Sequence, residues 1–174
     1  LATFAVFVVA ALMIFVVPKV VEQFDTVGQE LPLLTRIVMA ISAFLAAYDC
    51  GTLVSAKGIA EGVENSNYIV ETTGPDGRGH RYILTLYEKR VRPDDLPFFL
   101  GLMDHLAAKG VPCPVPVKGR DGKSLRQLAK RPAAIVTFLG GRWPRKIAAD
   151  HCAVLGEALA LMHVAGADFK IRRA

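Results

Sequence analysis

The stretch Lys57-Gly-Ile-Ala-Glu-Gly-Val-Glu-Asn-Ser-Asn67 holds the residue types that can cradle an anion. A glycine has no Cβ, so backbone N–H groups beside it can approach phosphate oxygens, and the Asn/Ser cluster that follows can add side-chain donors. The run has neither the GxxxxGK[ST] of a P-loop nor the GxGxxG of a dinucleotide fold. An ordinary glycine-bearing hairpin has the same composition, and both readings stay open. A second stretch, Ala133 to Leu139, is apolar throughout and is stopped by Gly140-Gly141. A hinge of this kind between two lobes is a place where backbone groups can meet the edge of a flat ring.

Other reactive side chains are scattered. Cys50, Cys113 and Cys152 are odd in number, with no CxxC and no Cys/His cluster at zinc spacing, and read as buried or free thiols in a reducing compartment. His80 falls in a turn, His105 on a helix, and His151 and His163 on the last helix, where packing is the plain reading. The net charge of +5 is spread over Lys89, Arg90 and Arg92, Lys118 to Arg131, Arg142 to Lys146, and Arg172 with Arg173. No aromatic residues interleave with them, which argues for solvated faces and against nucleic acid, with a phosphate-bearing ligand as the second reading.

The elements that must position these groups follow from pattern. With 174 residues, 52% hydrophobic and 21% charged, the chain is neither disordered nor collagen-like. Val54 to Val63 reads as a strand broken by Gly58 and Gly62. Asn67 to Thr72 is a second strand, Gly74 to Gly79 a turn, and Arg81 to Tyr87 a third strand. A helix comes next, with Asp94 or Asp95 as N-cap, Pro97 in its first turn, Phe99, Leu102, Met103 and Leu106 on one face, and Gly110 just past its end. Val111 to Val117 is extended because alternate prolines forbid helix. A hairpin turns at Arg120-Asp-Gly-Lys123 and returns through Ala133 to Leu139. Ile147 to Val164 carries Leu155, Leu159 and Met162 at helical spacing and is closed by Gly166. The order β-β-β-α-β-β-α predicts an α+β fold, a five-stranded antiparallel sheet with a helix on it. Its core is drawn from Ile83, Leu84, Leu86, Leu102, Leu106, Ile135 and Phe138.

The front is different. Leu1 to Val17 is uncharged, with Thr3 as its polar residue, and reads as an apolar helix near the lower limit of about 17 residues for a membrane span. Leu31 to Tyr48 is apolar again. Its helical part, Thr35 to Tyr48, would reach about 21 Å against a hydrocarbon core of about 30 Å, long enough to lie on a membrane and too short to cross it.

The segments KGIAEGVENSNYIVET, YILTLYEKRV, DLPFFLGLMDHLAAKGVPCPVPV, RPAAIVTFLGG and HCAVLGEALALMHVAGADF occur in order over residues 43–174. Together they resemble the bacterial homoserine kinase of the aminoglycoside phosphotransferase (choline kinase-like) type. The resemblance implies a protein-kinase-like N-terminal lobe over 43–139 and a hinge with the first helix of a C-terminal lobe over 140–174. It also implies transfer of the ATP γ-phosphate to the hydroxyl of L-homoserine, in threonine biosynthesis, with magnesium as cofactor. Another small-molecule phosphotransferase of the same family is the alternative. ATP-binding residues implied by position are Lys57, Gly58, Glu61, Gly62, Asn65, Ser66 and Asn67 in the loop, with Thr137 C=O and Leu139 N–H at the adenine edge. Thr85 stands where the family pattern has its phosphate-binding lysine, with Lys89 and Lys57 as substitutes. The catalytic aspartate and magnesium ligands of such enzymes belong to the C-terminal lobe, and neither an HxD nor a DFG-like triplet occurs in this sequence. The resemblance therefore implies a nucleotide-binding fragment with no catalytic or metal residue of its own.

The segment VVPKVVEQFDTVGQELPLLTRIVMAIS is similar to the first membrane span and loop of type II secretion system protein F, an inner-membrane platform protein. This implies a structural role for residues 1–42 and a membrane contact through residues 1–17, while the kinase-like part is expected in the cytoplasm. A fragment of the platform protein is the second functional reading, and a fusion or truncation product is the expected origin of the join.

Overall fold

The computed structural model describes residues 33–60, 64–88, 90–141 and 144–173. The Leu1–Val17 segment lies outside them, and no described helix is long and apolar enough to cross a membrane. The compact unit that carries everything below starts at Val38.

Helix α1 (Leu33–Leu45) turns one stripe of its surface into the protein. Ile41, Phe44, Leu45 and Tyr48 follow one another at i, i+3, i+4 and i+7, and all four are buried. That stripe is core. The chain then passes Cys50, whose carbonyl accepts the Thr72 hydroxyl, and Gly51. Gly51 has φ +86°, and a Cβ there would sit 2.2 Å from the Thr73 carbonyl oxygen, so no other residue fits.

Five strands form one antiparallel sheet in the order β1-β2-β3-β5-β4: β1 (Thr52–Ile59), β2 (Asn65–Thr73), β3 (Gly79–Tyr87), β4 (Leu125–Leu128) and β5 (Arg131–Thr137). The alternation of β-branched and aromatic residues selects the strands, and it also selects their faces, because directly opposed residues share one. Leu84 lies between Tyr68 and Ile135, and Leu86 between Ser66 and Ala133. This is the face on which Tyr48, just past α1, sits: the Arg126 guanidinium lies over the Tyr48 ring at 5.3 Å. Burial pushes the Tyr48 phenol up to about 12, against the opposing pull of Arg126.

Several expectations are corrected. β1 runs unbroken through Gly58, which pairs with Tyr68, and its irregularity is a bulge between Leu53 and Ser55. β2 starts at Asn65, so Asn65, Ser66 and Asn67 are strand residues rather than loop residues. His80 is in β3 rather than in a turn. The β4–β5 hairpin turns at Ala129-Lys130, both at positive φ (51° and 63°), the backbone signature of a two-residue hairpin turn. Arg120-Asp-Gly-Lys123 closes a separate tight turn, with Gly122 at φ +77° and the Gly119 N–H donating to Lys123 C=O. The extended Val111–Val117 segment docks beside β5 beyond β4, through Val117 N–H to Ile135 C=O and Thr137 N–H to Val115 C=O.

A 3₁₀ turn (Pro93–Asp95) leads into α2 (Leu96–Ala108), which ends before Gly110 at φ +81°. Asp95 occupies the N-cap position without capping. Its buried carboxylate binds Arg173 instead. The fully buried residues of α2 are Leu96, Leu100 and Leu106, while Phe99, Leu102 and Met103 are half-buried. Ile83 and Phe138 are also half-buried, whereas Leu84, Leu86 and Ile135 form core as expected. Helix α3 (Ala149–Gly166) follows, with Ala165 as its buried residue, and Leu155, Leu159 and Met162 are exposed rather than packed.

From Ala167 to Arg173 the chain runs back along α2 as a strap. The Asp168 carboxylate meets Lys109 and His105 at the end of α2, and Phe169 packs on Phe98 and His105. Ile171 lies over Gly101, where an added Cβ would come within 2.9 Å, and Arg173 pairs with Asp95 across the Phe99 ring.

Candidate functional site

Opposite the face of Leu84 and Ile135, the register builds two adjacent cross-strand rows. One is Lys57, Ile69, Ile83 and Val136; the other is Ile59, Asn67, Thr85, Ala134 and Leu125. Within them the Thr85 hydroxyl donates to Asn67 Oδ1 at 2.9 Å. The first row is an apolar floor with one cation at its β1 edge, and the second is a polar pair nearer the end of the sheet where β1 and β2 are joined. At the opposite end Arg81 lies over the Phe138 ring at 4.6 Å and its carbonyl accepts the Phe138 N–H, which fixes the strand as it enters Gly140-Gly141. An apolar floor between a backbone hinge and a set of polar donors suits a flat heterocycle with a charged tail.

The sequence-expected residues divide as follows. Lys57, Asn67 and Thr85 share this face. Gly58 does not: its Cα pairs with Tyr68, so a side chain would project on the face of Leu84 and Ile135. A Cβ there would meet nothing closer than a Tyr68 ring carbon at 3.9 Å. Ser66 also belongs to that opposite face, and its hydroxyl donates to Glu88 Oε1 at 2.9 Å. Asn65 Oδ1 accepts the Glu88 N–H at 3.2 Å. The Thr137 N–H is taken by Val115 C=O, and the Thr137 hydroxyl accepts the Val115 N–H, so the Thr137 donors and side chain serve the docked Val111–Val117 segment. Leu139 is exposed at the hinge. Glu61, Gly62 and Lys89 fall outside the described residues.

The floor residues Ile69, Ile83 and Val136 were missed as site residues; the signal lies in the alternation along β2 and, for β3 and β5, in the register that sets Ile83 and Val136 beside Ile69. Glu88 and Arg131, an ion pair at the end of the sheet that carries the β1–β2 connection, were missed as well. Their signal is spatial, since they lie 43 residues apart. Among the described residues no group of three His, Cys, Asp or Glu could hold a metal ion, so these residues do not make a magnesium site. The three cysteines are free thiols, and burial pushes those of Cys50 and Cys113 up, away from nucleophilic character.

Residues 55–172 match a family described as phosphotransferase enzymes. The chain is 63% identical over 130 residues to the homoserine kinase of Granulibacter bethesdensis, covering 75% of this chain and 39% of that protein. It is 64% identical over 134 residues to the homoserine kinase of Bradyrhizobium diazoefficiens, covering 77% and 39%. The chain thus spans about two fifths of the length of the relatives it matches. Among solved structures, a microcompartment-associated aminopropanol kinase superposes with a TM-score of 0.57 at 22% identity, covering 78% of this chain and 42% of that one. A spectinomycin phosphotransferase, solved with ADP and spectinomycin, superposes with a TM-score of 0.56 at 14% identity, covering 73% and 37%. At these identities the superpositions show the fold, a five-stranded antiparallel sheet with its helices.

Proposed function

The chain belongs to the phosphotransferase enzyme family, and from that premise we propose that it is the nucleotide-binding part of a homoserine kinase. The enzyme as a whole would move the γ-phosphate of ATP to the hydroxyl of L-homoserine. The observation that carries the substrate is the identity above 60% to curated homoserine kinases over three quarters of this chain. The nucleotide rests on the face just described. Ile69, Ile83 and Val136 would floor the adenine, with the hinge at Leu139 to Gly141 beside its edge. Asn67 and Thr85 lie toward the phosphates, and Lys57 is a cation on that face, in the row beside Thr85, where the family pattern has a lysine. Magnesium would supply charge neutralisation on the phosphates when bound.

The similarity of residues 1–42 to a secretion platform protein lies outside the family match, and neither it nor a membrane contact carries any part of this reading. The cytoplasmic setting proposed for the kinase-like part follows from its need for ATP.

Titration of the purified chain with a fluorescent ADP analogue tests the nucleotide reading. Saturable binding that ATP displaces is expected, together with loss of that binding in Ile83→Glu at unchanged far-UV circular dichroism. A flat titration overturns it. No O-phosphohomoserine is expected from ATP, magnesium and homoserine with this chain alone, because the sequence has no HxD or DFG-like triplet and no group of three His, Cys, Asp or Glu among its described residues could hold a metal. Formation above a protein-free blank would show that this division of labour is wrong.

A further inference from the structure

We propose that the cavity between the C-terminal end of β3 and the β4–β5 turn is a binding site for a small organic monocarboxylate, with Lys130 holding the carboxylate and the cavity wall its apolar body. The cavity measures about 400 Å³, inside the range of about 300–1,000 Å³ usual for small-molecule sites. Its place follows from the register. Tyr87 pairs with Asn65, one step past the Thr85–Asn67 row on the same face, and Pro132 stands one step past Ala134 on β5. Val91 and Pro93, on the way to α2, and Ala129, in the turn, complete an apolar wall whose side chains offer no polar atom.

The charges select the head group. Three charged side chains line the cavity, Glu88, Lys130 and Arg131. Glu88 and Arg131 are bound to each other, and the Ser66 hydroxyl donates to the same Glu88 oxygen at 2.9 Å. Lys130 has no hydrogen-bond or ion-pair partner among the described residues. The Tyr87 hydroxyl has none either, and burial pushes that phenol up, so it stays a donor. One free ammonium beside one free O–H suits a carboxylate. A dianion such as phosphate finds no second free cation here and meets the Glu88 carboxylate at the wall. The backbone points the same way. Ala129 and Lys130 hold φ of 51° and 63°, a turn that favours asparagine and glycine, so the turn itself does not call for a lysine.

This site does not rest on the nucleotide reading, and its test is independent of it. Isothermal titration of the purified chain uses 3-phenylpropanoate as probe, with the neutral 3-phenylpropanamide and inorganic phosphate as controls. Saturable 1:1 binding of the carboxylate with a dissociation constant below about 1 mM is expected, and both controls should bind at least about tenfold more weakly. Lys130→Asn removes the ammonium while suiting the left-handed turn, so it should weaken the probe about tenfold at an unchanged or raised melting temperature. Lys130→Arg, which keeps the charge, should stay within about threefold of the wild-type chain. In nitrogen-15 spectra the probe should shift the amides of Tyr87, Val91 and Lys130. The affinity for the fluorescent ADP analogue should not change when the probe is saturating. Absence of binding overturns the proposal, and so does equal binding of the amide or of phosphate, or a Lys130→Asn chain that binds as well as the wild type. Displacement of the ADP analogue by the probe would overturn it too, by placing the probe in the nucleotide site.

Discussion

Helices α2 and α3 have nearly the same apolar content and opposite fates. α2 buries Leu96, Leu100 and Leu106 and is overlaid along its length by the 167–173 strap. α3 leaves Val154, Leu155, Leu161 and Val164 exposed at 66%, 61%, 54% and 75%. Between them lies a cleft of about 370 Å³ lined by Leu106, Val111, Cys113, Leu155, Leu159 and Met162. The physical difference is the supply of partners. α2 has a strap that closes an ion pair at each end, so its apolar side chains lose their water. α3 touches α2 near its own C-terminus, at the buried Ala165, and the rest of its surface meets solvent. Helical spacing of leucines announces that a helix has something to bury, and says nothing of whether the burying surface is at hand.

The largest effect that would sharpen this contrast is at Leu100. Leu100→Ala removes a side chain that is 5% exposed, and a loss of about 2–4 kcal/mol of unfolding free energy is expected from urea denaturation. A loss below about 1 kcal/mol would mean that α2 is not core. An intermediate effect concerns the strap. The Lys109 ammonium, and after it His105, hold the Asp168 carboxyl below the usual carboxylate range. A carboxylate whose folded value is lowered stabilises above its unfolded value of about 3.9, and that stabilisation is lost as the pH falls through the lowered value. Amide exchange at Phe169 to Arg173 should accelerate over that acid range relative to the amides of β3. In Asp168→Asn the exchange should be faster at neutral pH and lose this acid dependence. A strap whose protection in the wild-type chain does not change with acid would show that the Asp168 contacts do not hold it. The smallest effect belongs to α3, where Leu155→Ala and Val154→Ala should stay within about 0.5 kcal/mol. A cost comparable to Leu100→Ala would erase the contrast.

The fold was largely legible because it rests on local signals. Alternation marks β2, an apolar run marks β5, Pro97 and Gly110 bracket α2, and the proline run Val111–Val117 is extended as expected. The misreadings have physical causes. Asp121-Gly122 looks like a hairpin turn and closes another loop, while Ala129-Lys130 makes the hairpin without any glycine or asparagine to signal it. The stripe Ile41, Phe44, Leu45 and Tyr48 was present in the sequence, but high mean apolarity over the whole segment obscured its sidedness. Asp95 looks like a cap, and Arg173, 78 residues away, takes its carboxylate.

At the candidate site the sequence by itself determined the chemistry available. It supplied the glycine-bearing stretch, the polar run Asn65 to Asn67, and an apolar strand running into Gly140-Gly141, all carried by residue type and short spacing. What it could not determine was which face each residue shares. Strand register is fixed by hydrogen bonds and side-chain packing between segments far apart in sequence, and a one-residue change in it sends every side chain to the other face. Tertiary structure alone put Lys57, Asn67 and Thr85 together over Ile69, Ile83 and Val136, turned Gly58 and Ser66 away from them, and brought Glu88 to Arg131.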